Sequence, residues 1–103
     1  MLRIFLFCLS ITNMLCYADN GQGKVKASSC SVCHGQNGLS KMAEAPNLAG
    51  QSQIYLIEQL KNYRNGKRQH EVMSLMAKPL SDPDIEDISQ WFSSMEIQVT
   101  LPK

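Results

Sequence analysis

Neither sign of charge dominates this chain. Ten Lys and Arg residues face nine Asp and Glu, a net charge of +1. Such a balance argues against nucleic acid or an anionic membrane surface as the main partner. There is no internal repeat and no low-complexity segment. No alternating βαβ pattern is visible, which removes the usual route to a parallel sheet. The longest apolar stretch, residues 4–15, is interrupted by Ser10, Thr12 and Asn13. It is shorter than the roughly 20 residues a membrane-spanning helix needs. Cysteine is sparse, with four in 103 residues.

That N-terminal stretch has another explanation. Met1-Leu2-Arg3 supplies a short positive start, the apolar run follows, and Cys16-Tyr17-Ala18 ends in small residues. The pattern predicts a cleaved export signal over residues 1–18 and a domain over residues 19–103. Bulky Leu15 before Cys16 argues against a lipid-modified start there. Cys8 and Cys16 leave with the signal, so the mature chain keeps only Cys30 and Cys33. At most one disulfide is then available. A domain this small buries a thin core and often depends on a metal, disulfides or a cofactor.

Cys30-Ser31-Val32-Cys33-His34 is a C-x-x-C-H motif, the pattern of covalent c-type haem attachment. Each thiol adds across one vinyl group, and the two intervening residues set the spacing. The histidine directly after the second cysteine then lies beneath the iron as a proximal ligand. One such motif is moderately specific. It gains strength in an exported small chain with no other mature cysteines.

The chain around the motif reads as helices joined by one long loop. A first helix is expected over residues 19–29, ending near Cys33, with Gly23 as a fray point or a close helix crossing. Residues 35–50 form a loop punctuated by Gly35, Asn37, Gly38, Pro46, Asn47 and Gly50. A structureless stretch of that length usually serves a function, and wrapping a haem face would account for it. Pro46 offers a carbonyl acceptor for the second ring N–H of a ligating histidine. Residues 51–65 carry a periodic helix through Ile54, Ile57 and Leu60, with Ser52 as N-cap and Gly66 as C-cap. Tyr55 and Tyr63 are expected as core aromatics. A short helical turn precedes Pro79. Ser81-Asp82-Pro83-Asp84 then opens a last helix through a capping box, with Ile85, Ile88, Trp91-Phe92 and Met95 as its apolar face. The whole is all-α. A basic cluster (Lys61, Arg64, Lys67, Arg68) and an acidic one (Asp82, Asp84, Glu86, Asp87) read as solvated helix ends or as a polarised surface that orients a partner.

The second axial ligand is open on these grounds alone. His70, Met73, Met76 and Met95 are the downstream candidates. Met95 lies on an apolar helix face, where core packing accounts for it. A methionine would raise the reduction potential, and His70 would lower it. Three rivals to an electron carrier also stand. A thiol–disulfide oxidoreductase using Cys30 and Cys33 leaves the long loop and the methionine segment unexplained. A zinc site from Cys30, Cys33, His34 and His70 must chelate through adjacent residues and lacks the usual spaced pairs. A haem sensor or ligand binder would keep its sixth position open.

Several separated motifs occur together and in order. Cys-Ser-Val-Cys-His-Gly from Cys30 is followed by Ala-Pro-Asn-Leu-Ala-Gly-Gln from Ala45. Met-Ser-Leu-Met-Ala-Lys-Pro-Leu-Ser-Asp-Pro-Asp follows from Met73, and Ile-Ser-Gln-Trp-Phe from Ile88. The arrangement resembles a class I c-type cytochrome over residues 21–95. It is similar to small single-haem bacterial cytochromes and to each half of the dihaem periplasmic ones. The resemblance implies short helices around one covalent haem c, with the first and last helices crossing at Gly23 against Trp91 and Phe92. It implies Cys30 and Cys33 as attachment points, His34 as proximal ligand with Pro46 accepting its N–H, and Met73 as distal ligand. It further implies a non-enzymatic periplasmic electron carrier with protein redox partners and at most peripheral membrane contact. The family usually has Tyr or Phe where Trp91 stands.

Overall fold

A computed structural model describes residues 21–103. The expected signal, and the start of the expected domain at residues 19–20, lie outside the described residues. Five helices follow in order: α1 (Gln22–Lys26), α2 (Ser28–His34), α3 (Gln53–Asn65), α4 (Met73–Ala77) and α5 (Asp82–Ser93). There is no strand among the described residues. The all-α expectation holds, as do the loop and the short helical turn before Pro79.

The first helix is not one helix. It bends at Ala27, whose φ and ψ are −78° and −3°. Ala27 N–H still reaches the Gly23 carbonyl at 2.9 Å, and Ser31 N–H reaches the Ala27 carbonyl at 3.0 Å. The break is thus a tight bend with the hydrogen-bond spacing retained. It falls at a fully buried residue, where core packing sets the backbone more than helix propensity does.

α1 packs across α5, and α3 packs on both α5 and α4. Gly23 makes the first crossing possible. A Cβ built there would lie 2.6 Å from the Asp87 carbonyl oxygen and 3.0 Å from Trp91 Cβ. The backbones approach too closely for any side chain. The core beneath the crossing is Ala27, Leu56, Ile88 and Phe92, with Cys30, Leu48, Leu60, Leu80, Trp91 and Met95 packed at its edges. Ile85, Ile88, Ser89 and Phe92 form the buried stripe of α5, at the spacing that keeps side chains on one helix face. Ser89 is fully buried, and its hydroxyl has no partner among the described residues.

The apolar face of α3 is displaced from its expected place. Leu56 is its buried residue, while Ile54 is 80% exposed and Tyr55 45% exposed. Tyr55 therefore has few protein side chains packed on it, where a core aromatic was expected, and Tyr63 is half-buried. Periodicity showed a broad apolar side, but α5 covers only the part centred on Leu56 and Leu60. The caps fall where expected. Ser52 Oγ accepts from Tyr55 N–H, and Gly66 closes the helix at φ 82°. Ser81 and Asp84 form the reciprocal capping box of α5.

Part of each charged cluster is tied down within the protein. Arg64 donates to the Leu80 carbonyl at 2.9 Å and to Asp82 at 2.6 Å, joining α3 to the start of α5. Lys26 of α1 pairs with both Asp84 and Asp87 of α5. The Ser81 backbone and hydroxyl hold the Asp84 carboxyl below its usual value of 3.8, and Lys26 adds to the effect. The Arg64 guanidinium does the same for Asp82, and the Asp87 and Asp84 carboxylates push the Lys26 ammonium above its usual 10.5.

Three outcomes are expected. Gly23→Ala gains roughly 1 kcal/mol of helix propensity but forces a clash that costs about 1–3 kcal/mol. Denaturant unfolding should therefore show net loss of stability. Ser89→Ala removes an unpaired buried hydroxyl and should raise stability by about 1 kcal/mol in the same assay. The depressed Asp84 carboxyl contributes stability that is whole above its ordinary value of 3.8 and is lost as pH falls through its lower folded value. Unfolding followed below pH ~4 should show a shallower acid loss in Asp84→Asn than in the unaltered chain.

Candidate haem-binding site

Cys30, Cys33 and His34 occupy positions i, i+3 and i+4 of α2, so all three share one face at the end of the helix. Both cysteines are half-buried and free of any disulfide. His34 is the last residue of α2, and Gly35 takes the chain away at φ 85°. Its N–H is returned to the Ser31 carbonyl at 2.9 Å.

His34 is buried at 7% exposure, and its Nδ1 lies 2.8 Å from the Pro46 carbonyl oxygen. A carbonyl can only accept, so Nδ1 carries the hydrogen. That leaves Nε2 as the ring nitrogen available to ligate a metal. The expected role of Pro46 as acceptor for His34 is what the structure shows.

The loop that brings Pro46 back to α2 is closed by its own bonds. Leu48 and Ala49 N–H groups donate to the Gly38 carbonyl at 2.8 and 3.0 Å. Ser40 N–H donates to Asn47 Oδ1 at 2.7 Å, and Ser40 Oγ donates to the Cys33 carbonyl at 2.9 Å. Gly38 has φ 71°, and a Cβ there would sit 2.7 Å from Ala49 N. Gly50 N–H ties the loop's end to the Phe92 carbonyl at 3.0 Å. The loop is a pinned strap running from the motif to the end of α5.

The Cys30 thiol has little of the character of an exchange nucleophile. Burial pushes the Cys30 thiol above its ordinary value of 9.0, whereas an exchange nucleophile needs a lowered one. Among the described residues no group of three or more His, Cys, Asp and Glu side chains is placed to hold a metal ion. The four donors of the zinc alternative are not gathered. Two free thiols and an imidazole held through Nδ1 on one helix face fit a covalently held haem better than either rival.

Of the distal candidates, Met73 opens α4 and is half-buried, while Met76 is 38% exposed. Met95 lies just beyond the end of α5 and packs at the edge of the core, in keeping with the core role expected of it. His70 is exposed and has a role that the spacing of candidates did not reveal. Its Nδ1 accepts the backbone N–H groups of Val72 and Met73, each at 3.2 Å. The available signal was position, since an acceptor side chain two or three residues before those N–H groups is where a helix N-cap sits.

Fold and site together define a small helical haem protein of the c type. The family model described as cytochrome c matches residues 18–96, and the chain belongs to that family, whose members carry haem c covalently. It is 37% identical over 95 residues to cytochrome c4 of Pseudomonas aeruginosa, covering 91% of this chain and 47% of that one. It is 42% identical over 81 residues to cytochrome c-554(548) of Halomonas halodenitrificans, covering 76% of this chain and 98% of the relative. The solved cytochrome c4 of Acidithiobacillus ferrooxidans superposes with a TM-score of 0.70 at 30% identity, over 76% of this chain and 50% of that one. The chain thus spans about half the length of the cytochrome c4 relatives and nearly all of the c-554(548).

Proposed function

We propose that this chain is a one-electron carrier built on a single covalent haem c, with His34 and Met73 as axial ligands. The observation that carries the reading is the His34–Pro46 hydrogen bond of 2.8 Å, in a chain of the cytochrome c family. Haem supplies a metal that cycles between ferrous and ferric states, and the protein does the rest. Cys30 and Cys33 anchor the group through thioether links. The Pro46 carbonyl holds the His34 tautomer and ring plane, and raises the basicity of Nε2. The soft thioether of Met73 favours the ferrous state and so a higher potential.

With His34 and Met73 both given to the iron, no position there would be left for a substrate, which favours transfer between protein partners over catalysis. The A. ferrooxidans cytochrome c4 is described as tuned for electron transfer by complex formation, which supports the same role here. Residues 1–18 are read as an export signal and residues 19–103 as the haem domain, so the work lies in the bacterial periplasm. No helix among the described residues is long and apolar enough to cross a membrane. The donor and acceptor are redox proteins.

Expression with the native leader and a haem-attachment system should give a denatured mass equal to the chain from Asp19 plus one haem. The visible spectrum should be low-spin with a weak methionine-to-iron band. Met73→Ala should lose that band. A band that survives the substitution removes Met73 from the iron, and carbon monoxide binding to the native ferrous protein would favour a ligand sensor instead.

A further inference from the structure

The exposed face of the α4 segment carries one arrangement that the electron-carrier reading does not use. The N-cap position of α4 is Val72, which makes no side-chain cap bond; His70 instead caps the turn at residues 71–72 that leads into α4 and Met73. Its imidazole Nδ1 accepts from Val72 and Met73 N–H, both at 3.2 Å, and these N–H groups are two and three residues on. Those are the donors that an N-cap side chain satisfies. The contact is reciprocated, because the His70 N–H donates to Ser74 Oγ at 2.9 Å and Ser74 N–H returns to the His70 carbonyl at 3.0 Å.

The ring is held from the other side as well. Its edge meets the Tyr63 ring of α3, with centroids 6.5 Å apart and planes at 73°. The Arg68 guanidinium lies 4.6 Å from the Tyr63 ring centre. α4 is only five residues long, too short to persist through its own hydrogen bonds. The backbone N–H of Met73 is fixed by the imidazole, the imidazole by Tyr63, and Tyr63 by its place on α3.

We infer that His70 is the positioning residue for Met73. It is not an iron ligand; it fixes the backbone from which the thioether reaches the iron. The inference rests on the reading of Met73 as axial ligand. Loss of the cap frees the first turn of α4 and lets an added ligand displace the methionine more readily. His70→Asn keeps an acceptor at the capping position, since Asn is among the best N-caps. His70→Ala removes it.

The test is a titration of the ferric holoprotein with imidazole, followed by loss of the methionine-to-iron band. The midpoint should fall about five-fold in His70→Ala, the size that a lost cap implies, and stay close to the unaltered value in His70→Asn. Ser81→Ala, which removes the cap of α5 instead, should lower the thermal midpoint while leaving the imidazole midpoint in place. A His70→Ala midpoint that does not move overturns the inference. So does an Asn variant as weak as the Ala one, or a Ser81→Ala variant that shifts the imidazole midpoint equally. Met73→Ala run alongside separates the two layers. If it keeps the band, the axial assignment falls and this inference with it. If it loses the band while His70→Ala titrates normally, only the positioning role falls.

Discussion

At Gly23 the backbone of α1 rests almost directly on the backbone of α5. A missing Cβ, 2.6 Å from the Asp87 carbonyl oxygen, is what lets two helices from opposite ends of the described chain come this close. Much of the fold hangs on that contact. Lys26, one turn further on, reaches Asp84 and Asp87 of α5. Ala27 then enters the core against α5, the chain bends, and α2 leaves with both thiols and His34 on one face. A bulkier residue at position 23 would displace the start of α2 and therefore the motif.

From α2 the dependence runs through the loop. His34 is oriented by the carbonyl of Pro46, and Pro46 is positioned because Gly38, Ser40 and Asn47 close the loop on itself. The loop in turn ends on the Phe92 carbonyl through Gly50. The same helix that supports α1 thus also supports the group that sets the histidine tautomer. On the far side, α3 carries Tyr63, and α4 is short enough to need outside help at its first turn. His34 and Met73, the two donors proposed for the iron, are held by different means: one by a carbonyl presented by a pinned loop, the other on a short helix whose first backbone N–H is held by an imidazole.

How much of this was legible in the sequence varies with the kind of signal. Local rules worked well for caps, because Ser52, Gly66 and the Ser81–Asp84 box depend only on neighbours. The C-x-x-C-H face and the Pro46 acceptor were legible because the chemistry of a ligating histidine calls for an acceptor. Gly23 was legible as either a fray point or a close crossing, and the family resemblance favoured the crossing. Two features were hidden for physical reasons. The exposure of Ile54 and Tyr55 depends on how much of α3 a partner helix covers, which periodicity does not encode. The bend at Ala27 comes from burial between elements distant in sequence. The backbone role of His70 was hidden as well. Its ring nitrogens drew attention as ligands to a metal, when one of them is used by the backbone two residues away.

The pairing of α1 with α5 has a consequence for when the molecule can form. The salt bridge from Lys26 to Asp87 joins residues 61 positions apart, and the core beneath it mixes residues from α1, α3 and α5. Closing so long a loop comes before the contacts that reward it. A chain growing from its N-terminus has no α5 for α1 to lie on until the last turn of that helix is made. Until α5 is in place, Cys30 and Cys33 belong to an open polypeptide and both thiols stay accessible.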